Sequence, residues 1–179
     1  MDLGLTGKIA LVTGGSKGIG KGIARSLSAE GCRVALCART RSDLETAAAE
    51  ITGETGNEVA VFTADLTRPE DAAAFVEGAV GQFGCVDILV NNAGAAPGGV
   101  IETLTEDDWA ESLQLKFMGY VRCTKAVLPH MQRQGKGRIV NLIGNDGIKH
   151  SYWEIAPGAA NAAGQNFTMS MAGRYGTDN

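Results

Sequence analysis

The chain has 179 residues, 44% of them hydrophobic, and a mean hydropathy of −0.02, which suits one globular domain with a buried core and leaves little length for a second. A net charge of −4 and a pI near 5.2 give no general attraction to nucleic acid, and the cations between Lys116 and Arg138 fall on a helical stretch that needs a solvated face. No apolar run reaches the length of a membrane span, the N-terminus lacks the form of a signal peptide, and Cys32, Cys37, Cys85 and Cys123 form no C-x-x-C pair. With only His130 and His150 beside them no metal site is expected, and reduced thiols in a cytoplasmic protein are the reading.

Short apolar runs alternate with longer amphipathic stretches. The first run, Lys8–Thr13, leads into Gly14-Gly15-Ser16-Lys17-Gly18-Ile19-Gly20 and then a helix carrying Ile23, Ala24 and Leu27. A pyrophosphate needs bare backbone N–H groups and the positive end of a helix, so glycines crowded into this one turn point to dinucleotide binding; an ordinary tight turn is the plainer alternative. Further strands are expected at Arg33–Ala38, Val59–Ala64, Val86–Asn91 and Arg138–Ile143. The runs are nearly continuous rather than alternating, as they are when helices cover both faces of a parallel sheet. Helix starts are signalled by Ser42-x-x-Glu45, by Thr67-x-x-Glu70 with Pro69 in the first turn, and by Thr105-x-x-Asp108. Leu113, Phe117, Tyr120, Val121, Thr124 and Leu128 follow helical spacing and predict one long helix, its stripe serving core packing, a partner helix, or both.

Thr13-Gly14-x-x-x-Gly18-x-Gly20 resembles the T-G-x-x-x-G-x-G signature of the short-chain dehydrogenases/reductases, and Asn91-Asn92-Ala93-Gly94 resembles their N-N-A-G motif. Arg138-Ile139-Val140-Asn141 is similar to the strand leading into that family's active site. The resemblance covers essentially the whole chain. It implies an α/β fold with a Rossmann-type doubly wound parallel sheet in three α/β/α layers, formed by residues 1–179 as one dinucleotide-binding domain. It also implies that Gly14, Ser16, Lys17, Gly18, Ile19 and Gly20 hold the cofactor, that Asp65 and Leu66 face the adenine, and that Asn91, Ala93 and Gly94 support the central strand and line the cleft. The family's final strands and substrate-covering loop have no counterpart within the 179 residues.

The choice of nicotinamide cofactor turns on the residues after the second strand. An NAD site usually presents a carboxylate to the adenosine ribose there, whereas this sequence has Cys37-Ala38-Arg39-Thr40. Arg39 can stack on adenine and fork onto a 2′-phosphate, Lys17 adds a second cation, and no carboxylate is expected to compete, so NADP(H) is the expected cofactor.

The family's chemistry uses a tyrosine to protonate the carbonyl oxygen, a lysine that lowers the tyrosine's pKa, a serine that holds the oxygen, and a helix asparagine. Counted along the resemblance, these positions hold Pro157, Asn161, Gly144 and Lys116, and no Y-x-x-x-K occurs elsewhere: Tyr120, Tyr152 and Tyr175 are followed four residues later by Thr124, Ala156 and Asn179. Lysine and asparagine are exchanged between two positions the family places close together. A buried Lys116 could donate a proton or bind an oxyanion, assisted by the Gly144 N–H or the Asn145 side chain, with Tyr152 and His150 as candidate acids and Asn161 as the surviving amide. Two functions follow. One is an NADP(H)-dependent oxidoreductase acting on a small-molecule carbonyl or alcohol, similar to 3-oxoacyl reductases, with a rebuilt site at Lys116. The other is a catalytically silent NADP-binding subunit that pairs with an active homologue. In either case the stripe Leu113–Leu128 and a second helix at Pro157–Arg174 imply a homo-oligomer, dimer or tetramer, with no nucleic-acid or membrane partner.

Overall fold

The structure, a computed structural model, describes residues 1–95 and 97–178. Five strands, β1 (Ile9–Thr13), β2 (Arg33–Ala38), β3 (Val59–Thr63), β4 (Ile88–Asn91) and β5 (Arg138–Asn141), form one parallel sheet in the order β3-β2-β1-β4-β5. The helices are α1 (Gly18–Ala29), α2 (Arg41–Thr55), α3 (Pro69–Phe83), α4 (Glu106–Lys116), α5 (Met118–Gln134) and α6 (Ile155–Tyr175).

Alternate residues of each strand enter separate cores, the arrangement that near-continuous apolar runs imply. Ile9, Leu11, Ala35, Cys37 and Leu89 meet Phe75, Val76 and Ala79 of α3 and Cys123 and Val127 of α5. Ala10, Val12, Val34, Leu36, Ile88 and Val90 meet Ala24 of α1 and Leu44, Ala47 and Ile51 of α2 on the opposite face. Each fully buried aliphatic or aromatic side chain contributes about 1.5–3 kcal/mol, so the two half-cores hold helices to both sides of the sheet. The expected doubly wound α/β/α architecture is thus observed.

Element ends differ from the sequence reading for identifiable reasons. β4 starts at Ile88 rather than Val86 because the Asp87 carboxylate accepts the Ile9 N–H at 3.0 Å, taking the place of a strand partner. β3 stops at Thr63, after which the Asp65 N–H donates to the Asp71 carboxylate at 2.9 Å. β5 stops at Asn141 with a last rung from the Leu142 N–H to the Asn91 carbonyl, where β4 also ends. Thr105 and Asp108 form the expected capping box of α4. The other two caps do not form: Thr40 and Arg68 occupy the N-cap positions of α2 and α3, and the Thr67 hydroxyl donates to Asp65.

The expected single long helix is two. It turns at Phe117, whose φ and ψ are −105° and −59°, next to a Gln114 carbonyl that accepts Arg122 Nη1 at 2.9 Å. The stripe divides with it. Tyr120 and Thr124 turn inward and are 2% exposed, while Leu113, Phe117, Val121 and Leu128 stay half-buried. α6 extends slightly beyond the expected Pro157–Arg174 and packs against α4 and the 3-10 turn Asn145–Gly147.

Candidate functional site

The sheet order reverses direction between β1 and β4, and open α/β sheets bind ligands beyond the carboxyl ends of the strands at such a point. A cavity of about 570 Å³ lies there. Gly14, Ser16, Lys17, Ile19, Gly20, Arg39, Asp65, Leu66, Ala93 and Gly94 line it, together with Lys116 and Gly144. The glycine loop, the residues after β2 and the N-N-A-G turn, far apart in sequence, therefore meet in one cleft.

The loop has this shape because three glycines leave no room for a side chain. A Cβ on Gly20 would collide with the Gly14 carbonyl oxygen and the Asn92 amide; one on Gly15 would stand 2.7 Å from Leu36 Cδ2. Gly14 has φ +64° and approaches the Ala93 Cα so closely that a Cβ would lie at 2.9 Å. Thr13 ties the loop to β4, its Oγ1 accepting the N–H groups of Asn92 and Ala93, each at 2.9 Å, while Asn92 Nδ2 donates to the carbonyls of Thr13 and Gly14. The Cys37 carbonyl accepts the amides of Gly14 and Gly15. Beyond them α1 begins with Lys17 as an N-cap that makes no side-chain cap, so the first N–H groups of the helix are left for a ligand. Sequence reading passed over Asn92, although a polar side chain between two loop-closing neighbours was a signal for this role.

At the other end of the loop, Arg39 is exposed and makes no ion pair among the described residues. Asp65 accepts the N–H and hydroxyl of Thr67 at 3.0 and 2.8 Å, and these hydrogen bonds hold its carboxyl below the usual carboxylate value, aided weakly by the field of Arg39. The expectation that no carboxylate competes for the two cations is corrected here. Asp43, in the first turn of α2, lines the same cavity and lies 4.0 Å from Lys17 Nζ.

Two residues expected in the cleft are not on its wall. Gly18 has φ +56° and serves the turn into α1. Asn91 is wholly buried, its Nδ2 donating to Thr124 Oγ1 and Asn141 Oδ1, and Asn141 in turn donates to Thr168 on α6. Asn91 supports the strand from behind, which is half of its expected role.

The catalytic expectations separate more sharply. Lys116, at the end of α4, is half-buried with its stem against Gly94, where a Cβ would meet Lys116 Cγ at 3.4 Å, and it has no ion-pair partner among the described residues. The Gly144 N–H is not free to assist, because it donates to Asn161 Oδ1 at 2.8 Å. Asn161 is 1% exposed and lies behind Gly144, off the cavity wall. Asn145, His150 and Tyr152 are exposed and do not line the cavity; Tyr152 packs on Trp153 with ring centroids 5.3 Å apart. Between Asn145 and His150, Gly147 lies close against α6, where a Cβ would meet the Ala162 nitrogen at 2.9 Å. Pro157 is buried and carries no donor. Tyr120, which sequence reading placed only on the apolar stripe, does line the cavity, but its hydroxyl donates to the Leu142 carbonyl at 2.8 Å and burial pushes its phenol pKa far up.

Among the described residues no cluster of three or more His, Cys, Asp or Glu could hold a metal, and no helix is long and apolar enough to cross a membrane. The cleft has the features a dinucleotide requires: a glycine loop whose bare backbone packs close against β2 and the N-N-A-G turn, an uncapped helix N-terminus, and cations at one end.

A family model described as short chain dehydrogenase matches residues 8–179. A 3-oxoacyl-acyl-carrier-protein reductase of Vibrio cholerae is 35% identical over 170 residues, covering 95% of this chain and 68% of the relative. The crystal structure of L-sorbose reductase from Gluconobacter frateurii, complexed with NADPH and L-sorbose, matches with a TM-score of 0.96 and 32% identity over 100% of this chain and 68% of that one. An NAD+-bound xylitol dehydrogenase matches with a TM-score of 0.93 and 33% identity, covering 98% of this chain and 67% of its own. With this fold, this cleft and a family match over nearly its full length, the chain belongs to the short-chain dehydrogenase family.

Proposed function

We propose that this chain is an NADP(H)-dependent oxidoreductase that moves a hydride between the cofactor and a small carbonyl or alcohol of the 3-oxoacyl type, with Lys116 meeting the charge that develops on the substrate oxygen. The observation that carries the reading is that the glycine loop and Lys116 line one cavity, with the N-N-A-G turn between them. The 3-oxoacyl reductase relative and the NADPH-bound sugar reductase support the reaction class and the cofactor.

In this reading the free N–H groups at the start of α1 bind the pyrophosphate, and Lys17 and Arg39 take the 2′-phosphate. Asp65 and Leu66 border the adenine; Ala93 and Gly94 form the wall beside the nicotinamide. The cofactor supplies or accepts the hydride. Lys116 then offers an ammonium N–H to the oxygen as alkoxide character grows, a task for which Pro157 has no donor and Gly144 has already committed its N–H. Asn161 holds Gly144 in place rather than touching substrate.

The silent-subunit reading is kept because of one observation: apart from Lys116, no family tetrad position presents a free donor to the cavity. We also infer self-association through α5 and α6, where Thr124, Leu128, Met131, Phe167 and Met171 line an apolar groove of about 280 Å³. Titration with NADPH followed by single-turnover assays over a panel of carbonyl compounds tests the main reading. NADPH oxidation by at least one carbonyl is expected; tight NADPH binding with no oxidation by any would leave the silent subunit.

A further inference from the structure

The phosphate end of the cleft holds charges of both signs. Lys17 and Arg39 are its cations, and the Asp65 carboxylate on the same wall already accepts two hydrogen bonds from Thr67. Asp43 is different. It stands in the first turn of α2, and its Oδ2 lies 4.0 Å from Lys17 Nζ across the mouth of the cleft. Both side chains are open to solvent, so the pair itself holds little energy and is easily parted.

We propose that Asp43 is a specificity-determining residue for the cofactor: with no 2′-phosphate present it neutralises Lys17, and when the phosphate is present it repels it, so the protein discriminates less between phosphorylated and unphosphorylated dinucleotides than its two cations alone would dictate. This rests on the assignment of the cleft to a nicotinamide dinucleotide. A 2′-phosphate carries close to two negative charges at neutral pH, whereas a ribose 2′-hydroxyl carries none and can donate a hydrogen bond to the same carboxylate. Removing the Asp43 charge therefore favours the phosphorylated form selectively. Through solvent, one charge acting on a doubly charged group at the width of this mouth is worth about three- to tenfold in affinity, and salt screens it.

The test is titration of the unmodified protein, Asp43→Asn, Lys17→Met and the double variant with NADPH and NADH, at low salt and at about 0.5 M salt. Asp43→Asn is expected to tighten NADPH about three- to tenfold while leaving NADH within about twofold. The gain should shrink on the Lys17→Met background and in high salt. An unchanged NADPH-to-NADH ratio in Asp43→Asn, or a gain that neither Lys17→Met nor salt reduces, overturns the inference. The two failures are separable, because preference for NADH in the unmodified protein contradicts the NADP(H) assignment, whereas an unchanged ratio in a protein that prefers NADPH contradicts only the role of Asp43.

Discussion

Asn161 and Gly144 fit each other as a pair: Asn161 Oδ1 accepts the Gly144 N–H at 2.8 Å, and Asn161 Nδ2 lies 2.6 Å from the point where a Cβ on residue 144 would stand. A serine at 144, the residue the family pattern calls for, meets the Asn161 amide unless that side chain shifts. The two departures from the pattern are therefore in direct contact. Gly144→Ser should cost about 1–3 kcal/mol through overpacking, and Asn161→Ala a similar amount by leaving the Gly144 N–H unpaired. The double variant Gly144→Ser with Asn161→Ala should cost less than the sum, measured by urea unfolding. Strict additivity would show that the two positions are not coupled.

Gly20→Ala should abolish dinucleotide binding, because its methyl group meets both the Gly14 carbonyl and the Asn92 amide and forces the loop away from α1. Gly22→Ala, where a Cβ meets nothing within 4 Å, serves as the control and should bind normally. Calorimetric titration with NADPH distinguishes the two.

Arg39→Ala should weaken NADPH about tenfold or more and leave NADH nearly unchanged, the scale of a lost charge-assisted hydrogen bond to phosphate. Equal losses for the two cofactors would mean that Arg39 acts on the adenine alone.

Asp65 titrates below its ordinary value of 3.8 because Thr67 donates two hydrogen bonds to the carboxylate. A depressed folded-state pKa stabilises the protein above the unfolded value, and that contribution is lost as pH falls through the lower folded value. Thr67→Val removes the hydroxyl donor, so the Asp65 carboxyl signal should titrate at higher pH and acid unfolding should begin at higher pH. A carboxyl carbon titration by NMR checks the first, and circular dichroism against pH the second.

Much of this was readable in the residues. Near-continuous apolar runs gave the parallel sheet, and the glycines between Thr13 and Lys21 located the cleft, because bare backbone is what a pyrophosphate needs and Gly20 has contacts on both sides. Side-chain orientation was less accessible. Tyr152 and His150 look like proton donors in a string of letters, yet both are exposed and neither lines the cleft. Asp43, five residues beyond Ala38, was hidden because its approach to Lys17 depends on how the first turn of α2 is set over the glycine loop. The commitment of the Gly144 N–H depended on Asn161, 17 residues away on another element.

The most direct measurement is single-turnover reduction of a reactive carbonyl by the NADPH-loaded protein, compared with Lys116→Met. The account predicts a loss of about two orders of magnitude or more in the hydride-transfer rate, the usual scale for removing a general acid or oxyanion donor, with NADPH affinity nearly intact. Turnover by Lys116→Met at the rate of the unmodified protein would contradict it.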